Sequence, residues 1–158
     1  MTMAAEKFDG APHSKQSLRL WLRLLSCSTT IEKKARAMLI ERFDTTLPRF
    51  DVMAGLDRAP NGLTMSELSK LLLVSNGNVT AIVSRLADDG LVTRTQDKDD
   101  RRISQVKLTA KGRRDFRAMA AEHENWIEQL LADLADSEIN GLLAGLNRVR
   151  ASIERSGL

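Results

Sequence analysis

The fold is decided between Leu63 and Gly112, in the stretch LTMSELSKLLLVSNGNVTAIVSRLADDGLVTRTQDKDDRRISQVKLTAKG. Thr64 and Glu67 stand at capping-box spacing, and Leu63 and Leu68 are placed to staple the same helix start. This predicts a short helix to about Leu72. Ser75 reads as the N-cap of a second helix, with Val74 and Val79 again at staple spacing, running to Asp89 and stopping at Gly90. Two helices joined by about three residues have the length and punctuation of a helix-turn-helix, whose second helix is presented to the DNA major groove.

The wheel of that second helix separates cleanly. Val79, Ile82, Val83 and Leu86 fall on one side and belong to the core. The opposite face carries Gly77, Thr80, Ala81 and Ser84, flanked by Asn76, Asn78 and Arg85. Small and hydroxylated residues let a helix backbone approach a groove while a few polar groups reach base edges and phosphates. Thr64, Ser66 and Ser75, at the helix starts, complete the candidate DNA contacts of this motif.

Leu91 to Thr95 and Ile103 to Leu108 are β-favouring runs, the second with Ser104, Val106 and Leu108 on one side. The charged loop Gln96-Asp97-Lys98-Asp99-Asp100-Arg101-Arg102 between them has the position of the wing of a winged helix. Lys98, Arg101 and Arg102 are candidates for phosphates or a minor groove, where positive side chains are favoured. Asp100 is expected to fold inward and pair with an arginine, shaping the tip. The fold class is therefore mainly α with a small β-hairpin wing, a winged helix-turn-helix joined to further helices.

Outward from this centre, apolar residues at helical spacing trace a first helix from about Ser17 to Phe43, through Leu18, Trp21, Leu25, Ile31, Ala35, Met38 and Leu39. A helix of that size spans roughly 40 Å, more than a small domain needs, so part of its apolar surface is expected to pack on another chain. A second helix opens at Pro48, buries Phe50, Met53 and Leu56, and ends before Pro60-Asn61-Gly62. Thr109 caps a long helix to about Leu134 with Phe116, Met119, Ala120, His123, Trp126, Ile127, Leu130 and Leu131 on its stripe. Asp136 or Ser137 caps the last, expected to bury Ile139, Leu142, Leu143, Leu146, Val149 and Ile153. The organisation predicted is an arm over 1–16, a helical dimerisation region over 17–47 and 110–158, and a DNA-binding domain over 48–109.

With 158 residues, 42% hydrophobic and 28% charged, the composition is that of an ordinary globular protein. Charge is unevenly spread: Arg94 to Arg117 carries 9 basic against 4 acidic residues, whereas 118–158 carries 3 against 7. The first is a local field suited to a polyanion. Cys27 is the one cysteine, so no disulfide forms within the chain, and a reducing cytoplasm is the expected compartment. Met1 to Pro12 lacks the apolar core of a signal peptide, and Leu18 to Phe43 is too interrupted by charge to span a membrane. His13 and His123 are the only histidines and neither has a metal or triad partner at a recognisable spacing. Glu122, His123 and Glu124 point in different directions on a helix. No catalytic residue, cofactor or metal is expected.

Leu68 to Leu91, then Asp100-Arg101-Arg102, then Leu108-Thr109-Ala110-Lys111-Gly112 together resemble the MarR family of bacterial transcriptional regulators. The family pattern of Asp, any residue, Arg, then Leu-Thr and a Gly three residues on is met by Asp100, Arg102, Leu108, Thr109 and Gly112. The resemblance implies a homodimer of winged helices on a palindromic operator, usually as a repressor, with recognition helices about one DNA turn apart, roughly 34 Å. It gives DNA reading to Asn76 through Arg85 and the wing to Lys98 through Arg102.

A narrower resemblance lies in Phe43 to Asp51, Asn61 to Ser66 and Val74 to Thr80, which look like the MarR branch controlling aromatic-acid breakdown. It implies a hydroxycinnamate-type acid or its coenzyme A thioester as inducer. The family pocket would be lined here by Trp21, Leu25, Ser28, Phe50, Met53 and Met119, with Arg49, Arg19, Arg23 or Lys33 placed to neutralise a carboxylate or phosphates. The same apolar residues at helical spacing also serve as ordinary core. Two alternatives stay open. Some family members are thiol sensors, which points to Cys27, although those sensors use tyrosines and this chain has none. Cys27 shares helical spacing with Leu24 and Ile31, which predicts a buried, inert thiol. A helical interaction module would show no salt-sensitive binding to any duplex.

Overall fold

The computed structural model describes residues 15–72 and 76–157. Within them the elements run α1 (Gln16–Phe43), α2 (Leu47–Asp57), β1 (Leu63–Thr64), α3 (Met65–Leu72), α4 (Asn76–Asp88), β2 (Val92–Gln96), β3 (Ser104–Leu108), α5 (Ala110–Leu130) and α6 (Asp136–Arg155). The chain divides after His123 into two compact units.

In the first unit the local signals act as their chemistry requires. Thr46 caps α2, its Oγ accepting from the Arg49 N–H at 3.4 Å, with Pro48 in the first turn. The capping box of α3 closes: the Thr64 N–H donates to Glu67 Oε2 at 2.7 Å, and the Glu67 N–H donates to Thr64 Oγ at 3.2 Å. Leu39, Val52, Met53, Leu56, Leu68, Val79, Val83, Leu86 and Val106 are fully buried and form the core between α1, α2, α3, α4 and the sheet. The sheet is antiparallel in the order β1-β3-β2, with Leu63 opposite Val106 and Val92 opposite Leu108. β1 was not anticipated, because two residues are too few to show a period. In β3, Ser104, Val106 and Leu108 are buried and alternate with exposed residues, as expected of a half-covered strand.

One junction positions everything that follows. Thr109 donates its hydroxyl to the Gly90 carbonyl at 2.7 Å, its N–H to the Leu91 carbonyl at 3.0 Å, and its oxygen accepts from the Gly112 N–H at 2.9 Å. A Cβ on Gly112 would stand 1.9 Å from the Leu91 carbonyl oxygen, so only glycine lets α5 start against the turn that follows α4. Gly90, at φ 73°, makes the turn that brings Leu91 there.

The second unit, from Glu124, corrects two expectations. α5 ends at Leu130, and Leu131 to Leu134 continue as turns. α6 is capped at Ala135, neither at Asp136 nor at Ser137: the Ala135 N–H donates to Glu138 Oε2 at 2.8 Å, and this reach-back from the third helical residue fixes the start. α6 buries none of its residues; Leu142, Leu143, Leu146 and Ile153 are 56%, 55%, 43% and 66% exposed, and Ile139 and Val149 are half-buried. An amphipathic stripe is buried only when something lies on it, and the described residues of one chain do not cover this one.

α1 shows the same deficit toward its start. Ala35 and Leu39 are buried, whereas Leu18, Leu20, Trp21 and Leu25 are exposed. Cys27 is exposed too, against the buried thiol that its spacing predicted, because its neighbours Leu24 and Ile31 are themselves only half covered.

Candidate nucleic-acid interface

α4 presents the two faces its wheel predicted. Val79, Val83 and Leu86 are sealed in the core, while Asn78, Thr80, Ala81, Ser84 and Arg85 are exposed along the other side. Asn76 and Gly77 open the helix. Ser75, the expected cap, lies outside the described residues. At the start of α3, Ser66 is exposed, and Thr64 is engaged with Glu67 through its backbone N–H and its hydroxyl oxygen. Donation to Glu67 from the Thr64 backbone N–H, then from its hydroxyl side, holds the Glu67 carboxyl below its ordinary range.

The wing tip is built by two aspartates. Asp97 Oδ1 accepts from the Asp99 and Asp100 N–H groups at 2.8 and 3.1 Å, a side-chain-closed turn. Asp100 then grips Arg102: Oδ1 accepts from Arg102 Nε at 3.0 Å, Oδ2 from Nη2 at 3.1 Å, and the Arg102 backbone N–H adds a bond of 3.0 Å. The pairing holds the Asp100 carboxyl below the usual carboxylate range and raises the Arg102 guanidinium further. With its side chain 90% exposed, Arg102 keeps donors turned to solvent, so the pair aims the arginine without consuming it. Lys98 and Arg101 are exposed beside it. The inward turn of Asp100 was readable in the sequence; the part of Asp97 was not, although an Asp opening a polar loop is the usual signal of such a turn.

A cavity of about 560 Å³ lies in the first unit. Phe43, Met53, Leu91, Ala118 and Met119 give it apolar walls, and Asp44, Arg49, Asp89, Lys111 and Asp115 line it with charge. Arg49, Met53 and Met119 of the expected ligand set are thus brought together. Trp21, Leu25 and Ser28 are not: they are exposed on α1, where the Ser28 hydroxyl donates to the Leu25 carbonyl at 3.1 Å. Phe50 is buried, its ring centroid 5.4 Å from that of Phe116 and 5.0 Å from that of His123. Asp89 and Lys111 were missed by sequence reading. Arg49 Nη2 pairs with Asp89 Oδ2 at 2.5 Å, and Lys111 Nζ donates to the Asp89 carbonyl at 2.9 Å. The Arg49 Nε is buried with no hydrogen-bond partner among the described residues.

Among the described residues no helix is long and apolar enough to cross a membrane, and no group of three or more His, Cys, Asp or Glu stands ready to hold a metal.

A bare-faced second helix, an arginine-tipped hairpin after it and a glycine-locked junction behind it define a winged-helix DNA-binding protein. The profile of the MarR family matches residues 43–103, and, with a 30% identical family member matched almost end to end, the chain belongs to that family of transcriptional regulators. It is 30% identical to the solved MarR family transcriptional regulator of Silicibacter pomeroyi, over 91% of this chain and 99% of that one, with a TM-score of 0.77. Similarity extends to the transcriptional activatory protein BadR of Rhodopseudomonas palustris, 27% identical over 93% of this chain and 86% of that protein. It extends also to Streptococcus pneumoniae FabT, solved in complex with DNA, at 26% identity, covering 88% of this chain and 98% of that one, with a TM-score of 0.72.

Proposed function

We propose that two copies of this chain bind a pseudopalindromic operator as a repressor and leave it when a small aromatic acid, or its coenzyme A thioester, occupies the cavity. The observation that carries the reading is the exposed face of α4, where Asn78, Thr80, Ala81 and Ser84 stand clear of the core beside a cationic wing. In this reading Asn76, Gly77, Asn78, Thr80, Ala81 and Ser84 meet base edges, and Thr64, Ser66, Ser75, Arg85, Lys98, Arg101 and Arg102 meet phosphates. Residues 48–109 read DNA, and 17–47 with 110–158 hold the copies together.

The dimer is supported by the uncovered apolar residues of α1 and α6, since a monomer rarely leaves so many large side chains in water. Trp21 and Leu25 are assigned to that contact. The ligand is supported by a cavity whose size falls in the roughly 300–1,000 Å³ range of small-molecule sites. Its apolar walls suit a ring, and Arg49 suits a carboxylate.

Fluorescence anisotropy on the DNA upstream of the chain's own gene, against scrambled duplex, tests this with and without 4-hydroxycinnamate and its coenzyme A thioester. Sequence-dependent binding released by either compound is the expected result. Equal binding to both duplexes removes the operator. Binding that survives both compounds removes the inducer. For nearly complete release, the ligand must prefer the incompetent state by about 10⁴-fold.

A further inference from the structure

Two aspartate–arginine pairs in this chain use the same edge of the guanidinium and use it differently. On the wing, Asp100 fills both Nε and Nη2 of Arg102. In the cavity, Asp89 takes only Nη2 of Arg49, and the neighbouring Nε is buried without a partner among the described residues. Arg49 is therefore half-engaged: one donor of a side chain that lines the cavity is left without a partner among the described residues.

Asp89 sits where a carboxylate is unwelcome. Its N–H bonds back to the Arg85 carbonyl at 3.1 Å, so it closes the C-terminal end of the recognition helix, with Asp88 beside it. Helix C-termini carry partial negative charge and favour cations. Two cations from other helices supply this: Arg49 from α2 on the carboxylate, and Lys111 from α5 on the carbonyl. The end of the DNA-reading helix is held by charges that also line the cavity.

We propose that Asp89 is a built-in competitor of the ligand. Its carboxylate holds Arg49 in the DNA-binding state, and an aromatic carboxylate entering the cavity takes both Nε and Nη2 of Arg49, displaces Asp89 and unclamps the recognition helix. A two-pronged carboxylate satisfies the stranded Nε and gains geometry that the one-pronged Asp89 lacks. The exchange is a proton-free swap of one anion for another, so it answers to the charge of the ligand and not to its ring alone. This rests on the cavity being the aromatic-acid site.

The test pairs operator binding with direct calorimetry of 4-hydroxycinnamate and of its uncharged amide, on the full chain. Wild type is expected to release the operator with the acid and not with the amide. Asp89→Asn is expected to lose operator affinity without any ligand and to bind the acid more tightly, each by about fivefold or more. These opposite signs do not arise from a fold defect, which would weaken both. Arg49→Lys keeps the charge but not the fork, and is expected to bind the acid at least fivefold more weakly in calorimetry, because a single ammonium cannot receive both carboxylate oxygens side by side. Wild-type release by the acid, with unchanged or weaker acid binding by Asp89→Asn, overturns the exchange and leaves the aromatic-acid regulator standing. No binding of the acid to any form, wild type included, overturns both.

Discussion

The unit up to His123 and the unit from Glu124 treat their apolar residues in opposite ways. The first seals Leu39, Val52, Met53, Leu56, Leu68, Val79, Val83, Leu86 and Val106 within itself. In the second, α6 buries none of its residues, although its sequence is more amphipathic than that of α1, α2 or α4. Periodicity measures which face must be covered; it does not say by what. The first unit covers a core of its own and leaves the start of α1 bare, whereas α6 carries a demand for cover along its whole stripe.

The sharpest way to break that contrast is to spoil the uncovered stripe. Leu142→Glu with Leu146→Glu, a change that leaves every buried residue of the first unit in place, is expected to give monomers in sedimentation velocity. Burying a leucine is worth about 1.5–3 kcal/mol, and a symmetric contact loses four of them. Operator affinity should fall by about 100-fold or more as one half-site is lost. A double variant that sediments as a dimer and binds like wild type would mean that α6 is not the covering surface.

Next in size is a defect confined to the self-covered unit. Gly112→Ala puts a Cβ 1.9 Å from the Leu91 carbonyl oxygen, a collision with backbone that no rotamer relieves. The expected loss is about 3 kcal/mol in urea unfolding, at the upper end for overpacking. Unchanged stability would show that α5 can slide at its start, and the junction would no longer explain how the wing is placed.

The sequence was most legible where a structural need falls on neighbours in the chain. The capping box at Thr64 and Glu67, the turn at Gly90, the Asp100 to Arg102 pair and the Thr109 to Gly112 junction are each set by residues a few positions apart or by a backbone demand only glycine meets. Where the need is met across the fold, reading failed. Asp89 meets Arg49 over 40 positions and Lys111 over 22, and neither spacing leaves a trace. Cys27 was expected inside because its row is apolar, yet the row itself lacks a cover. In the expected ligand set, Arg49, Met53 and Met119 converge from α2 and α5 on one cavity, whereas Trp21, Leu25 and Ser28 share only helical spacing.

A smaller effect separates the tip of the wing from the reading helix. Arg101→Ala should weaken operator and random duplex alike, by about fivefold, and reduce the salt slope by about one, because a phosphate contact carries no sequence information. Thr80→Ala should leave random duplex unchanged and narrow the gap between operator and scrambled DNA. If both variants lose operator and random binding in equal measure, the assignment of roles between α4 and the wing fails.

The smallest expected effects belong to two carboxylates of the first unit whose shifts have opposite sign. Glu67 is exposed, and the Thr64 N–H it accepts from, followed by the Thr64 side chain, lowers its pKa below the ordinary 4.5. A lowered value means that the folded state prefers the ion, so the cap's contribution is complete above about pH 4.5 and fades as pH falls through the folded value. Asp51 on α2 is the reverse: burial, only partly offset by Arg36 and His123, raises it above 3.8. Its charge is a burden on folding at neutral pH, and the burden lifts as pH falls from the raised value toward 3.8. Glu67→Gln should therefore destabilise at pH 7 and converge with wild type in acid, while Asp51→Asn should stabilise at pH 7 and lose that advantage in acid. Urea unfolding at several pH values and two protein concentrations checks both. Neither difference should move with concentration, since each residue answers to groups of its own chain; a concentration-dependent Asp51 effect would bring a second copy into the neighbourhood of α2.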